Sequence, residues 1–245
     1  MRNLKMIIEY DGTNFFGWQY QPDKRTVQSE IESAIKQITG EDVRVTGAGR
    51  TDHGVHALGQ VANFKTESNI QCEKLRAAIN SLIGEDVYIK QITEVPLNFH
   101  ARYSARSKIY RYNIMLTYSP LKRRYYWFVD YKLNFELMQR ASSYFIGQHD
   151  FKNLSVSRDE DDEKFNNNTI CNIYNLSLTE SENEIIIMVE ADRFLRKMVR
   201  CIVGMLIDIG RGRYSLQQLE RIYTDGLENI YCAPAWGLCL MEVKY

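Results

Sequence analysis

Apolar positions along this chain follow two spacings, alternation and a three-to-four step, and the two take turns in a regular order. Residues 4–10 are a short, apolar, partly β-branched run, which predicts a strand. Thr26 stands where a helix cap belongs, ahead of Val27, Ile31, Ala34, Ile35 and Ile38 on one stripe, with Gly40 as the stop. Residues 43–46 and 60–65 predict strands. A second helix carries Leu75, Ala78, Ile79, Leu82 and Ile83 and ends at Gly84, and 87–93 predicts another strand. The order β-α-β-β-α-β is that of a ferredoxin-like unit.

The order returns in the second half. Residues 108–115 predict a strand with Tyr110, Tyr112 and Ile114 on one face. Asn134 caps a helix with Met138, Ala141 and Phe145, stopped by Gly147. Strands are predicted at 172–178 and 184–190, then a helix over 194–209 with Leu195, Met198, Val199, Ile202, Val203, Leu206 and Ile207 apolar. Ser215 caps a further helix with Leu216, Leu219, Ile222 and Tyr223, and 238–243 is the last strand. No sequence repeat accompanies the recurrence. The expected class is α+β, with ferredoxin-like halves at 1–104 and 105–245. No Pro- or Gly-rich linker marks the joint near 101–107, so the halves are expected to be fused through a largely antiparallel sheet, with an active-site cleft between them. Residues 157–169, charged and then Asn-rich, predict a mobile surface loop.

Composition leaves this picture standing. Hydrophobic residues make up 44% and charged residues 25% of 245, as in an ordinary globular protein with a real core. No apolar run is long enough to span a bilayer, and the first residues are too soon acidic for a signal peptide. The five cysteines form no C-x-x-C pair and read as reduced thiols of a cytoplasmic protein. Lys and Arg total 31 against 31 Asp and Glu, but the charges are segregated. Residues 102–124 hold Arg102, Arg106, Lys108, Arg111, Lys122, Arg123 and Arg124 and no acid; residues 193–213 hold six basic residues against Asp208 alone. Such segregation makes either a nucleic-acid face on a neutral protein or simply solvated basic surface.

One run carries chemistry: Gly47-Ala48-Gly49-Arg50-Thr51-Asp52-His53-Gly54-Val55-His56-Ala57. It sets one carboxylate, Asp52, in a glycine-flanked loop beside an arginine, with two histidines behind. Glycines allow positive φ and close approach, and a neighbouring cation holds a carboxylate ionised and aimed. That suits a nucleophile or base acting on a bulky substrate. Asp52 stands where a third glycine would complete a dinucleotide fingerprint, so that reading fails. His53 and His56 find no further ligand at metal spacing nearby, so no metal is expected. A tight polar turn without chemistry is the plain alternative.

The run resembles the G-R-T-D-x-G-V-H-A signature of the tRNA pseudouridine synthase A family. Other segments resemble the family too: Tyr10-Asp11-Gly12-Thr13 with Gly17-Trp18-Gln19 and Thr26-Val27-Gln28; Tyr103 to Tyr112; Gly147-Gln148-His149-Asp150-Phe151; Phe194 to Arg200 with Ile202-Val203-Gly204; and Ala233-Pro234-Ala235 with Gly237-Leu238. The stretch around Cys171 departs from the pattern, where an arginine is usual. The resemblance implies an isomerase that turns uridine into pseudouridine at positions 38, 39 and 40 of the tRNA anticodon stem-loop, without cofactor, as a cytoplasmic homodimer. It implies Asp52 as the catalytic residue, Arg200 as its arginine partner and Tyr110 as the tyrosine that stacks on the target uracil. A phenol there also serves as a base for the C5 proton if a nearby cation lowers its pKa. The plain alternatives are a core tyrosine, and an arginine sharing a polar helix face with Arg193 and Arg196. Arg50 is read as holding the flipped nucleotide, with pairing to Asp52 as the alternative. His53 and His56 are read as loop-positioning groups, His53 at the substrate. Arg106, Lys108, Arg111, Arg196 and Lys197 are read as RNA contacts, with Lys122, Arg123 and Arg124 as further phosphate partners. Trp18 reads as core. A non-catalytic RNA binder and an unrelated hydrolase using Asp52 and His56 are the competing functions; an intact Asp52 speaks against the first, and no Ser or Cys nucleophile motif supports the second.

Overall fold

The computed structural model describes residues 1–156, 168–224, 226–227 and 230–245. Most of the predicted loop at 157–169 lies outside the described residues. The chain divides into two compact units, Met1–Arg106 with Cys239–Tyr245, and Ser107–Leu238.

In the first unit the order is β1 (Arg2–Tyr10), α1 (Val27–Thr39), β2 (Thr46–Gly47), β3 (His56–Thr66), α2 (Cys72–Leu82) and β4 (Val87–Val95), as predicted. Strand β1 lies antiparallel between β3 and β4. The last strand of the chain, β10 (Leu238–Lys244), joins β3 in parallel through Cys239↔His56 and Leu240↔Ala57. Alternation puts Leu4, Met6, Ile8 and Tyr10 of β1 into the core, with Ile31 and Ile35 of α1 and Leu75 and Ile79 of α2 also buried. The register of β1 on β3 slips between Ile8 and Tyr10, and such a bulge re-aims the residue beyond it. Thr26 and Ser29 form a capping box at the start of α1, and Gly40 ends it. The strand predicted at 43–46 shrinks to Thr46–Gly47. Val45 turns its N–H to Glu32 Oε1 of α1 at 2.8 Å instead of to a neighbouring strand.

In the second unit the elements are β5 (Ser107–Met115), β6 (Trp127–Phe128), α3 (Phe135–Ser142), β7 (Gly147–Asp150), β8 (Ile170–Glu180), β9 (Glu184–Ala191), α4 (Met198–Gly210) and α5 (Leu216–Leu219). The sheet order is β5-β9-β8-β7, antiparallel throughout, with β6 parallel to β5. Helix α3, capped by Asn134, packs on α4 and β8. The α+β class and the predominance of antiparallel ladders hold. Strands β6 and β7 go beyond the sequence pattern, being too short to show a period.

Helix α4 begins four residues later than predicted. Lys197, at its N-terminal boundary, has φ +61, a left-handed backbone through which a helix cannot run. Arg193 and Arg196 therefore precede the helix and share no helical face with Arg200, which corrects that expectation. The five cysteines are not all thiols either. Cys201 and Cys232 form a disulfide with Cα atoms 4.2 Å apart, while Cys72, Cys171 and Cys239 are in no disulfide. A separation of 31 residues leaves no local mark of the pairing. Among the described residues no helix is long and apolar enough to cross a membrane.

Candidate active site

The Asp52 run connects β2 to β3, and the chain from Tyr10 to Trp18 straps it from one side. Ala48 N–H donates to Val61 O at 2.7 Å as the loop leaves β2, and Val55 N–H donates to Asp52 O at 3.1 Å, closing a turn on the carboxylate residue. Trp18 N–H donates to Thr51 O at 3.1 Å. His53 Nδ1 donates to Phe15 O at 2.6 Å; a carbonyl only accepts, so this nitrogen carries a proton. The residues on both sides of Asp52 are therefore tied down, while Asp52 itself is half-exposed.

Beneath the loop lies a polar network whose pairings no sequence motif announces. Tyr10 OH and Thr51 Oγ1 are 2.8 Å apart, both nearly buried. Gln60 Nε2 donates to Gly49 O at 2.9 Å and reaches Tyr10 OH at 3.5 Å. Burial pushes the Tyr10 phenol well above its ordinary pKa, so it stays neutral and serves as a fixed hydrogen-bonding post. Tyr10→Phe keeps the ring and strands the Thr51 hydroxyl. We expect a stability loss of about 1–2 kcal/mol in denaturant unfolding, and a several-fold fall in kcat with KM unchanged in steady-state kinetics.

His56 is buried, and its Nδ1 lies 3.0 Å from Gly12 N and 3.1 Å from Asp11 Oδ1. The backbone N–H can only donate, so this nitrogen accepts from Gly12. His56 thus positions the loop by accepting. Trp18 is 1% exposed and belongs to the core, as expected.

The other expected residues belong to the second unit. Tyr110 on β5 is 7% exposed, with the Phe194 ring edge-on at 5.0 Å. This contact brings β5 to the segment that leads into α4. Tyr112, two residues on, is core: fully buried, its OH donating to Pro234 O at 2.8 Å, and its pKa raised by burial. Arg200 is the one residue of α4 that is not buried. Its Nε donates to Ala233 O at 2.7 Å, and Ala233 N–H donates back to Arg200 O at 3.0 Å. The neighbouring Cys201–Cys232 disulfide ties the same two segments. These two bonds run to backbone groups of Ala233, which carry no side-chain signal in sequence.

The basic residues fare differently from one another. Arg50, Arg106 and Arg196 are exposed, and Lys197 is half-buried. Lys108 is only 8% exposed. Arg111 is half-buried, its Nε enclosed with no hydrogen-bond partner among the described residues. Lys122 pairs with Glu184, and Arg123 donates to Pro120 O at 2.6 Å. Arg211 and Arg213 both close on buried Asp208, at 2.6 and 3.2 Å. Two of the six basic residues at 193–213 are thus committed to an internal carboxylate, although both are exposed. Among the described residues no group of three or more His, Cys, Asp or Glu could hold a metal ion.

Comparison with known proteins places this architecture. The profile of a family described as tRNA pseudouridine synthase matches residues 6–104 and 141–245. The tRNA pseudouridine synthase A of Caldicellulosiruptor bescii is 45% identical over 249 residues, covering 100% of both chains. That of Acetivibrio thermocellus is 44% identical, again over 100% of both. Among solved structures, a chain of an archaeal box H/ACA sRNP Nop10-Cbf5 complex is similar at a TM-score of 0.37 and 12% identity, over 95% of this chain and 58% of that one. The matches at 44–45% identity run end to end: the chain belongs to the tRNA pseudouridine synthase A family, and is an isomerase acting on uridine in RNA.

Proposed function

We propose that this protein converts uridine to pseudouridine at positions 38, 39 and 40 of the tRNA anticodon stem-loop, as a cytoplasmic homodimer. The observation that carries the reading is the Asp52 loop: a reachable carboxylate held on both flanks, in a chain of this family. The target base leaves its stack before reaction, at a cost of a few kcal/mol. Asp52 then either attacks C1′ or takes a proton from C2′ to give a glycal. In both routes the C1′–N1 bond breaks, uracil turns and a C1′–C5 bond forms; the Asp52–C1′ ester breaks in the first route, Asp52 returns the proton to C2′ in the second, and the C5 proton leaves while N1 takes one up. No cofactor enters this balance. Tyr110 stacks on the uracil and receives the C5 proton, and Arg200 orients the carboxylate. Arg50, Arg106, Arg111, Arg196 and Lys197 hold the RNA by backbone contacts, and His53 positions the loop at the substrate. Such contacts read shape, which suits one site serving adjacent positions.

The test tracks the proton that must leave. Tritium at uracil C5 of tRNA is released as pseudouridine forms. Release is expected from tRNAs with uridine at positions 38–40 with the wild-type protein, and none with Asp52→Ala. Equal release by both proteins would remove Asp52 from the chemistry. No release from any anticodon-arm uridine would move the target elsewhere in RNA.

A further inference from the structure

The aromatic group that faces outward beside Asp52 is not Trp18 but a stacked pair formed by Phe16 and His53. Phe16 is 43% exposed. The His53 imidazole lies on it with centroids 4.9 Å apart and planes 27° from parallel. Lys24 Nζ stands 4.6 Å from the same Phe16 centroid. Phe16 is thus packed against both groups, and His53 is itself exposed.

Nothing in the pair hangs loosely. Phe16 N–H donates to Arg25 O at 2.9 Å, and Gln21 Nε2 donates to Phe16 O at 2.9 Å. Arg25 is itself locked by two bonds to Asp86, at 2.6 and 2.7 Å, and by Glu30. The His53 ring is oriented by its bond to Phe15 O. A rigid, exposed ring loses no rotamer freedom when another ring lies on it. His53 is also the residue directly after Asp52, so whatever rests on it lies within one residue of the carboxylate.

We propose that the Phe16–His53 pair is a stacking platform for the unpaired nucleobase next to the target uridine. The inference rests on Asp52 reacting with a uridine of RNA. Extruding that uridine leaves its neighbour with a bare face, and a prepositioned ring next to the catalytic loop covers it. Stacking accepts any base, because every base has a π-face. The platform therefore adds affinity without sequence preference, which one site serving several positions requires. Lys24, a cation against the Phe16 ring, adds a charge that favours an RNA ligand over an apolar one.

The experiment uses an anticodon-arm RNA hairpin, intact or abasic at the nucleotide 5′ or 3′ of the target uridine, with wild type, His53→Ala and His53→Phe. On intact RNA, His53→Ala is expected to weaken binding about ten-fold, raising KM more than it lowers kcat. His53→Phe, which stacks but cannot donate to Phe15 O, is expected to restore most of the affinity. On one of the abasic RNAs the difference between wild type and His53→Ala is expected to vanish. The inference is overturned if His53→Ala binds intact RNA like wild type, if both abasic RNAs keep the full deficit, or if His53→Phe is as poor as His53→Ala. Turnover of intact RNA by wild type is read in the same assay. Its absence sinks the proposed function; its presence without coupling to a neighbouring base sinks only the platform.

Discussion

Asp52→Asn abolishes turnover and leaves tRNA binding within a few-fold of wild type. The change replaces one carboxylate oxygen by an amide nitrogen, so shape is kept while charge and nucleophilicity go. An amide neither attacks C1′ nor takes a proton from C2′, so both routes stop. Removing a nucleophile or base outright costs on the order of 10⁴-fold or more in kcat, and a loss of that size is expected here. The fold has little stake in this side chain. The loop is held by Thr51, His53 and Val55, whose bonds run through main-chain groups, the Thr51 hydroxyl and the His53 ring, and Asp52 is half-exposed. The melting temperature is therefore expected to stay within a few degrees of wild type. Tritium release, filter binding of tRNA and a thermal melt decide the matter together. Loss of binding and of melting temperature alongside turnover would make Asp52 a structural residue.

The parts of the fold legible in the chain are local. Thr26, Asn134 and Ser215 announce helix starts because capping is settled within three residues, and each side-chain oxygen accepts the expected backbone N–H. The Asp52 loop is legible because its residues are contiguous. The misses all involve partners or backbone turns that local pattern does not encode. Val45 has the look of a strand residue, but Glu32 takes its N–H. Helix periodicity runs unbroken from Phe194, and nothing in it marks the left-handed turn at Lys197. Arg211 and Arg213 have the look of free cations, but Asp208 inside α4 claims both. Within the candidate site the same division holds. Asp52, Tyr110 and Arg200 stand out as residue types in motifs. The pairings of Tyr10, Gln60 and the carbonyl of Ala233, which hold their surroundings, stand out only once strands and loops are side by side.

Gly12→Ala should damage the site from a residue that takes no part in chemistry. A Cβ built on Gly12 falls 2.0 Å from Val55 O and 2.6 Å from Val55 C. Both are backbone atoms of the Asp52 turn, so no side chain can swing aside to make room. Either the 3₁₀ turn at Gly12–Asn14 retreats or the 52–55 turn is pushed outward. The first choice also breaks the Gly12 N–H bond to His56 Nδ1, so the second shares the strain. Overpacking of this kind costs about 1–3 kcal/mol, and displacing a reacting group by ~1 Å costs about 100-fold in rate. Gly40→Ala is the control. Gly40 also resists a side chain, through its φ of +76, but a Cβ there meets nothing within 4 Å. It ends α1, away from the Asp52 loop, so it should lower stability by about 1 kcal/mol with kcat unchanged. If both variants lose stability alike and only Gly12→Ala loses kcat, the rate depends on where the turn holds Asp52. If kcat falls equally in both, or in neither, the close approach of Gly12 to Val55 is packing alone and the loop tolerates the shift.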